Sequence, residues 1–418
     1  MLLKGSDADV KNKWSRHHLI SLFFIFFIFI VCAGTAAKGY VSRDEYIKIY
    51  SGYLNDNSGA VGKVKASVLT AYETLKNIDG KVYKRTGFIN VYGLTQRITG
   101  NRYVYDAASS GNDVVKLNNG YLSFVLPKSK DLKKKADKTA AFNARLKNNG
   151  IDLLYVQLPF KINKYDKQLP TGVYDYSNEN SDIMLSELKS RGVKTYDLRE
   201  EIIKDGLNRY PLFFRTDHHW KPSTGLWAAG KICEKLNSSF DFNINISKLD
   251  KKNFRSTVYR NWFLGSQGKR VGQYYTGVDD FTLLLPTYKT GISSTYYRIN
   301  GEKIVKNGNF EDAMIFAENL KSKDYFGINT YAAYSGGDFP LTICINKLLA
   351  DKKILLLRDS YSNVLVPFIS LAGCKELRAI DPRHFKGSIS DYIEKFNPDI
   401  VLMLYYPTAL GNSAFFKF

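Results

Sequence analysis

Ile354-Leu355-Leu356-Leu357-Arg358-Asp359-Ser360-Tyr361-Ser362-Asn363 is an apolar run of strand length that stops at a polar turn before a second apolar segment. Consecutive Ile and Leu suit a strand buried on both faces, as in a parallel sheet. Asn363–Ala372 reads as a helix, so Ser360 falls at a strand-to-helix junction. In open α/β folds that junction lies at the carboxyl edge of the sheet, where ligands bind. A serine there is placed to act as a nucleophile, with N–H groups of the following helix facing a developing oxyanion. The same residues also suit a plain helix cap by Asp359 or Ser360.

The neighbouring segments repeat the rhythm. Downstream come a strand at Leu377–Ile380, a helix at Ile389–Phe396 and a strand at Ile400–Tyr405. Upstream, Asp131–Asn149 carries Leu132, Ala136, Ala140, Phe142 and Leu146 at helical spacing, closed by Gly150, and the apolar run Ile151–Leu158 follows as a strand. Ser181–Arg191 repeats the helix, Gly192 ends it, and Val193–Leu198 supplies another short strand. This alternation predicts an α/β fold, a parallel sheet with helices on both faces. Between the halves, about 238–351, the chain is rich in Tyr, Asn, Thr and Gly and alternates at Thr295–Ile299, which predicts a β-rich insertion. Residues 81–130, rich in Tyr, Val and Gly, suggest strands, and 38–80 reads as a polar, partly helical stalk.

Leu19–Ala37 is nineteen residues without a charge. At 1.5 Å per residue a helix of that length nearly crosses a bilayer core of about 30 Å. Lys4, Lys11, Lys13 and Arg16 precede it, so the charge rule puts residues 1–18 in the cytoplasm and everything after Lys38 outside. The expectation is a single-pass membrane anchor at 19–37; the small residues Ala33–Ala37 also suit a cleaved signal peptide. Sixty Lys and Arg against forty Asp and Glu give +20, spread along the chain, which favours anionic partners. Export argues against nucleic acid among them and leaves anionic lipids or acidic wall polymers. The four cysteines show neither a disulfide framework nor metal-ligand spacing, so no metal or other cofactor is expected.

Histidine is scarce: beyond His17 and His18 the chain has only His218, His219 and His384. Two of these stand in Thr216-Asp217-His218-His219-Trp220. On an extended segment Asp217 and His219 project to one side and His218 to the other. A carboxylate bonded to one ring nitrogen fixes the tautomer, leaving the other nitrogen to take a hydroxyl proton. A structural turn with packed histidines, or a metal site, are the alternative readings of the same residues.

Thr216–Trp220, with Asp359-Ser360-Tyr361 and Asp381-Pro382-Arg383 downstream, resembles the DHHW family, related to the alginate O-acetyltransferases AlgJ and AlgX. The similarity runs over roughly 110–410 and includes Leu158-Pro159-Phe160-Lys161 and the stretch Gly265–Gly272. It implies an SGNH-hydrolase-like, flavodoxin-like domain over 81–418, in permuted order, with the Asp-x-His pair ahead of the serine. Carried onto this chain, it implies Ser360 as nucleophile, His219 as general base and Asp217 as its orienting carboxylate. Arg358 stands where such enzymes usually have glycine. Arg383, Asn363 and Gly265 are candidates for substrate or oxyanion contacts. The implied function is an exported serine-dependent O-acetyltransferase acting on a cell-surface or extracellular polysaccharide, with the acetyl donor delivered by a separate multispan membrane acyltransferase. A carbohydrate esterase, or a non-catalytic polysaccharide-binding or assembly protein, are the alternatives.

Overall fold

The computed structural model describes residues 7–39, 43–54, 59–79, 82–105 and 113–418. They fall into two units, Met1–Val91 and Tyr92–Phe418. The first holds helices α1 (Asp7–Gly39), α2 (Arg43–Leu54) and α3 (Ala60–Asp79), with Tyr53 of α2 donating to Glu73 of α3 at 2.7 Å. In α1 the apolar side chains from Leu19 to Ile30 are exposed; Phe23 is 73% exposed. Among the described residues no helix is long and apolar enough to cross a membrane. The run expected to span, 19–37, has described side chains only over 19–35. The expectation of strands from residue 81 is corrected, because α4 occupies Arg85–Ile98. Phe88, Val91, Tyr92, Thr95 and Ile98 recur at helical spacing, and that period outweighs the Tyr and Val content. Short strands β1 (Tyr103–Val104), β2 (Val114–Lys116) and β3 (Leu122–Ser123) then form a small antiparallel sheet.

The α/β rhythm follows. Helix α5 (Leu132–Asn148) ends where Gly150 takes φ +71°, donating to the Lys147 carbonyl at 3.0 Å while Ile151 donates to Leu146 at 2.9 Å. That left-handed turn suits glycine and aims the chain into β4 (Asp152–Gln157). Helix α6 (Ser177–Ser190), strand β5 (Thr195–Asp197), α7 (Leu198–Lys204) and α8 (Pro222–Phe240) come next. The insertion contributes the antiparallel ribbon β6 (Phe254–Phe263) and β7 (Asp279–Pro286), with short helices α9 (Ser266–Val271) and α10 (Gln273–Thr276) between them. It continues with β8 (Ile292–Tyr297), β9 (Lys303–Gly308), α11 (Phe310–Met314) and β10 (Leu341–Asn346). The chain closes through β11 (Lys353–Arg358), α12 (Leu365–Ala372), β12 (Glu376–Ile380), α13 (Ile389–Phe396) and β13 (Ile400–Tyr405).

The main sheet has the order β5-β4-β13-β11-β12-β10-β8-β9. The first five strands are parallel, whereas β10 pairs antiparallel with β12 and carries the β8–β9 hairpin outward. The sheet is therefore mixed, not parallel throughout, because the insertion adds its strands to the sheet edge at β12. Counted from β11 through β12 and β13, then β4 and β5, the parallel strands read 2-1-3-4-5 across the sheet. That is the flavodoxin-like order, with the chain opened at a different point. Alternation along the strands splits the core. Leu154, Leu356 and Leu402 join a cluster with Ala229 of α8 and Phe368 of α12. Leu153, Leu355 and Val401 face Phe142 of α5, Leu188 of α6 and Ile393 of α13. Both faces are covered, so these strands read as continuous apolar runs.

Candidate active site

The crevice at a switch point opens beyond the carboxyl ends of the strands on either side, here β11 and β13. Ser360 follows β11 at the start of a 3-10 turn, Ser360–Asn363. Asp359 caps that turn, its Oδ1 accepting from the Tyr361 N–H at 3.0 Å and its Oδ2 from the Tyr406 N–H, just past β13, at 2.7 Å. Burial pushes the Asp359 carboxyl up to about 6, against those two N–H groups. The Ser360 N–H, first in its turn, has no acceptor within it.

Thr216–Trp220 lies against the junction. His219 Nε2 is 2.9 Å from Ser360 Oγ and His219 Nδ1 is 2.5 Å from Asp217 Oδ1. Asp217 Oδ1 also accepts the His219 backbone N–H at 2.9 Å, and Oδ2 accepts the Ser266 N–H at 2.6 Å. Burial on its own raises the Asp217 carboxyl, but the His219 and His218 rings and the hydrogen bonds from His219 and Ser266 hold it well below the usual carboxylate range. Asp217, His219 and Ser360 thus form a hydrogen-bonded line from carboxylate to hydroxyl, with Asp217 and His219 buried and Ser360 half-buried.

Four supports hold the line. The His219 ring stacks on Tyr331 at 4.0 Å between centroids. Trp220 Nε1 and Tyr331 Oη both donate to the Tyr361 carbonyl, at 3.0 and 3.1 Å, while Tyr361 Oη donates to the His218 carbonyl. Asp279 of β7 accepts from the Arg215 and Thr216 N–H groups, both at 2.8 Å. Lys161, buried beyond β4, donates to the carbonyls of Leu122 and Asp217, each at 2.5 Å, and to Gln267 Oε1 at 3.4 Å. Burial lowers its ammonium to about 7, against the pull of Asp217 and Asp279.

The opposed facing of the two histidines is corrected. The segment bends, and the His218 and His219 rings lie 3.7 Å apart between centroids. His218 Nδ1 pairs with Ser266 Oγ at 2.8 Å, and burial, with His219 next to it, lowers the ring to about 3. The ligand-type atoms of Asp217, His218 and His219 lie within 4.8 Å of one another, and those of Asp338, Asp381 and His384 do likewise. In both groups the carboxylates are already hydrogen-bonded to His, Arg or backbone donors.

The three other candidates sit differently. Gly265 packs on Asp217: a Cβ there would be 2.1 Å from Asp217 Cβ. Its N–H donates to Thr216 Oγ1 at 3.0 Å, so the glycine permits a close approach and its donor is not turned to an oxyanion. Asn363 is buried with both ends of its amide in use, Nδ2 donating to Asp338 Oδ1 at 3.0 Å and Oδ1 accepting from Arg358 Nη1 at 2.7 Å. Arg383 is held by Asp381, at 2.6 Å, and Asp338, at 2.9 Å, and its side chain is 28% exposed. Arg358 is buried between Asp338, Asn363 and the carbonyls of Gly337 and Phe339. Burial raises the Asp338 carboxyl, but Arg358 and Arg383 overcome this and bring it to about 2. Sequence reasoning gave no role to Lys161, Ser266, Asp338 or Tyr331. A charged residue directly after an apolar strand was a signal for Lys161; the others are joined to the site only by folding.

Residues 123–261 match the family model described as the SGNH hydrolase-like domain of the acetyltransferase AlgX. No curated protein sequence matches the chain. Among solved structures, PatB1 of Bacillus cereus, bearing a sulfonyl adduct, is 19% identical with a TM-score of 0.61, covering 72% of this chain and 97% of that one. A DHHW family protein from Eubacterium siraeum is 17% identical with a TM-score of 0.53, covering 75% of this chain and 97% of that one. The fold is shared with both, and the sequence resembles the AlgX-type domain over the matched residues.

Proposed function

We propose that this SGNH-hydrolase-like protein is an O-acetyltransferase that passes acetyl groups through Ser360 to a hydroxyl of an extracellular polysaccharide. The observation that carries the reading is the line from Asp217 through His219 to Ser360, with 2.5 and 2.9 Å steps, at the sheet's switch point. His219 Nε2 takes the Ser360 proton as Oγ attacks the acetyl carbonyl, and Asp217 steadies the imidazolium that forms. Collapse of the tetrahedral intermediate expels the donor's alkoxide, which collects the proton from His219 and leaves acetyl-Ser360. An acceptor hydroxyl then gives its proton to His219, attacks the acetyl carbon and restores Ser360. The Ser360 N–H, first in its turn, faces the developing oxyanion.

The anchor at 19–37 and the extracellular placement of residues after Lys38 belong to the same proposal, supported by the charge-free run and the basic residues before it. So does a multispan membrane acyltransferase as the source of acetyl groups. The test offers the full chain an activated acetyl ester, with and without an oligosaccharide acceptor, and reads Ser360 by mass spectrometry. Acetyl-Ser360 that is discharged faster by glycan than by water supports a transferase. Discharge by water alone makes the protein an esterase. No adduct, together with unchanged surface acetylation in a Ser360→Ala strain, sinks the enzymatic reading.

A further inference from the structure

The C-terminal turn of α4, the turn after it, the end of β2 and α10 form a cavity of about 250 Å³ lined by Arg97, Arg102, Lys116 and Tyr275 among others. Its walls are tied together. Gly100 takes φ +71°, which turns the chain out of α4 and brings Arg97 and Arg102 to one opening. Arg102 Nε and Nη2 donate to the Lys116 carbonyl at 3.1 and 2.9 Å, and Nη1 donates to Asn118 Oδ1 at 2.5 Å. Tyr275 Oη donates to the Asn101 carbonyl at 2.6 Å, and the Lys116 ammonium stands 5.1 Å from the centre of the Tyr275 ring.

The charge here is one-sided. Burial lowers the Lys116 pKa, and Arg97, Arg102 and Arg215 lower it further. Several guanidinium groups elsewhere are matched: Arg191, Arg199, Arg378 and Arg383 each pair with an acid. Among the described residues no such ion pair includes Arg97, Arg102 or Lys116. Like charges gathered without a counter-charge repel, and a bound anion relieves that repulsion.

We propose that this cavity is a binding site for a phosphate ester of a small polyol. The phosphoryl oxygens meet the Lys116 ammonium, the Arg97 guanidinium and the N–H groups that Arg102 has left over, in charge-assisted hydrogen bonds. The Tyr275 ring, 1% exposed, forms the floor beneath the Lys116 ammonium. A free polyol phosphate and a phospholipid headgroup share this chemistry, and the site is independent of turnover at Ser360.

The test measures binding of sn-glycerol 3-phosphate to the full chain by calorimetry, and co-sedimentation with phosphatidylglycerol vesicles in a phosphatidylcholine background. The Lys116→Met, Arg97→Gln pair should weaken whichever binding is seen by about tenfold, the weight of one or two charge-assisted contacts. A control pair, Lys252→Met with Arg260→Gln, removes the same net charge from exposed positions and should leave binding unchanged. On the wild-type chain, sn-glycerol 3-phosphate or the vesicles should slow reductive methylation of Lys116 and not of Lys252. Loss of soluble-ligand binding in the pocket variant identifies a free polyol phosphate, and loss of vesicle binding alone identifies a headgroup. Absence of both bindings, equal loss in the two variant pairs, or unprotected Lys116 overturns the proposal.

Discussion

Gly265→Ala tests the geometry on which the candidate site depends. Gly265 has φ −75° and ψ −179°, open to any residue, so the cost arises from contact and not from backbone strain. The added methyl would meet Asp217 Cβ at 2.1 Å, Cα at 2.5 Å and Oδ2 at 2.6 Å. Ordinary carbon contact needs about 3.5 Å, so the two residues must separate by about 1.4 Å. Taken up by Asp217, that shift stretches its 2.5 Å bond to His219 and its 2.6 Å bond from Ser266 beyond hydrogen-bond range. Displacing a catalytic group by about 1 Å costs about 10² in rate, and losing the orienting carboxylate of such a triad costs about 10⁴. The expected result is a fall in kcat between those bounds, with a stability loss of about 1–3 kcal/mol from overpacking. The assay is turnover of an activated acetyl ester, read alongside thermal melting and the labelling rate of Ser360 by a sulfonyl fluoride. A folded Gly265→Ala protein within threefold of wild type in both turnover and labelling would refute the reasoning.

Four further changes separate roles within the site. His219→Ala should lower acetyl-ester turnover by about 10⁴, whereas His218→Ala, which removes a ring beside His219 and a partner of Ser266, should cost about tenfold; equal losses would place both histidines in the proton path. Arg358→Gly puts glycine before Asp-Ser but leaves buried Asn363 Oδ1 without its donor, while Asp338 keeps Arg383, so a loss of about 1–3 kcal/mol in chemical denaturation is expected. Lys161 releases its proton near pH 7 when folded and near 10.5 when unfolded, so between those values the unfolded chain binds more protons and stability rises with pH. Measured against Lys161→Met, which cancels other titrations, the wild type should gain up to ~5 kcal/mol across that window, at 1.36 kcal/mol per unit; a flat difference from pH 7 to 10 would count against a buried ammonium.

The α/β rhythm was legible because strands covered on both faces must be apolar throughout, as β4, β11 and β13 are, and because Gly150 and Gly192 mark helix ends by their left-handed turns. The pair Asp217 and His219 was legible because both sit on one short segment, and Ser360 because a strand ends in front of it. The insertion's contribution was not. Nothing local to Leu341–Asn346 says that it pairs antiparallel with β12, since edge pairing depends on which strand is left open. The facing of His218 was misread because alternation holds only for extended chain, and the segment bends.

By itself, the sequence determined most elements of the α/β core, the scarcity of histidine and the three residues proposed here to move a proton. Their period, charge and spacing are properties of short stretches, which local physics decides. Tertiary structure alone decided that Ser360, 141 positions from His219, comes within 2.9 Å of it, and that Gly265 exists to let Asp217 in. It also set the Asn363 side chain between Arg358 and Asp338. Such assignments depend on which donors are already taken, and that is settled only when distant segments pack and compete for the same buried polar groups.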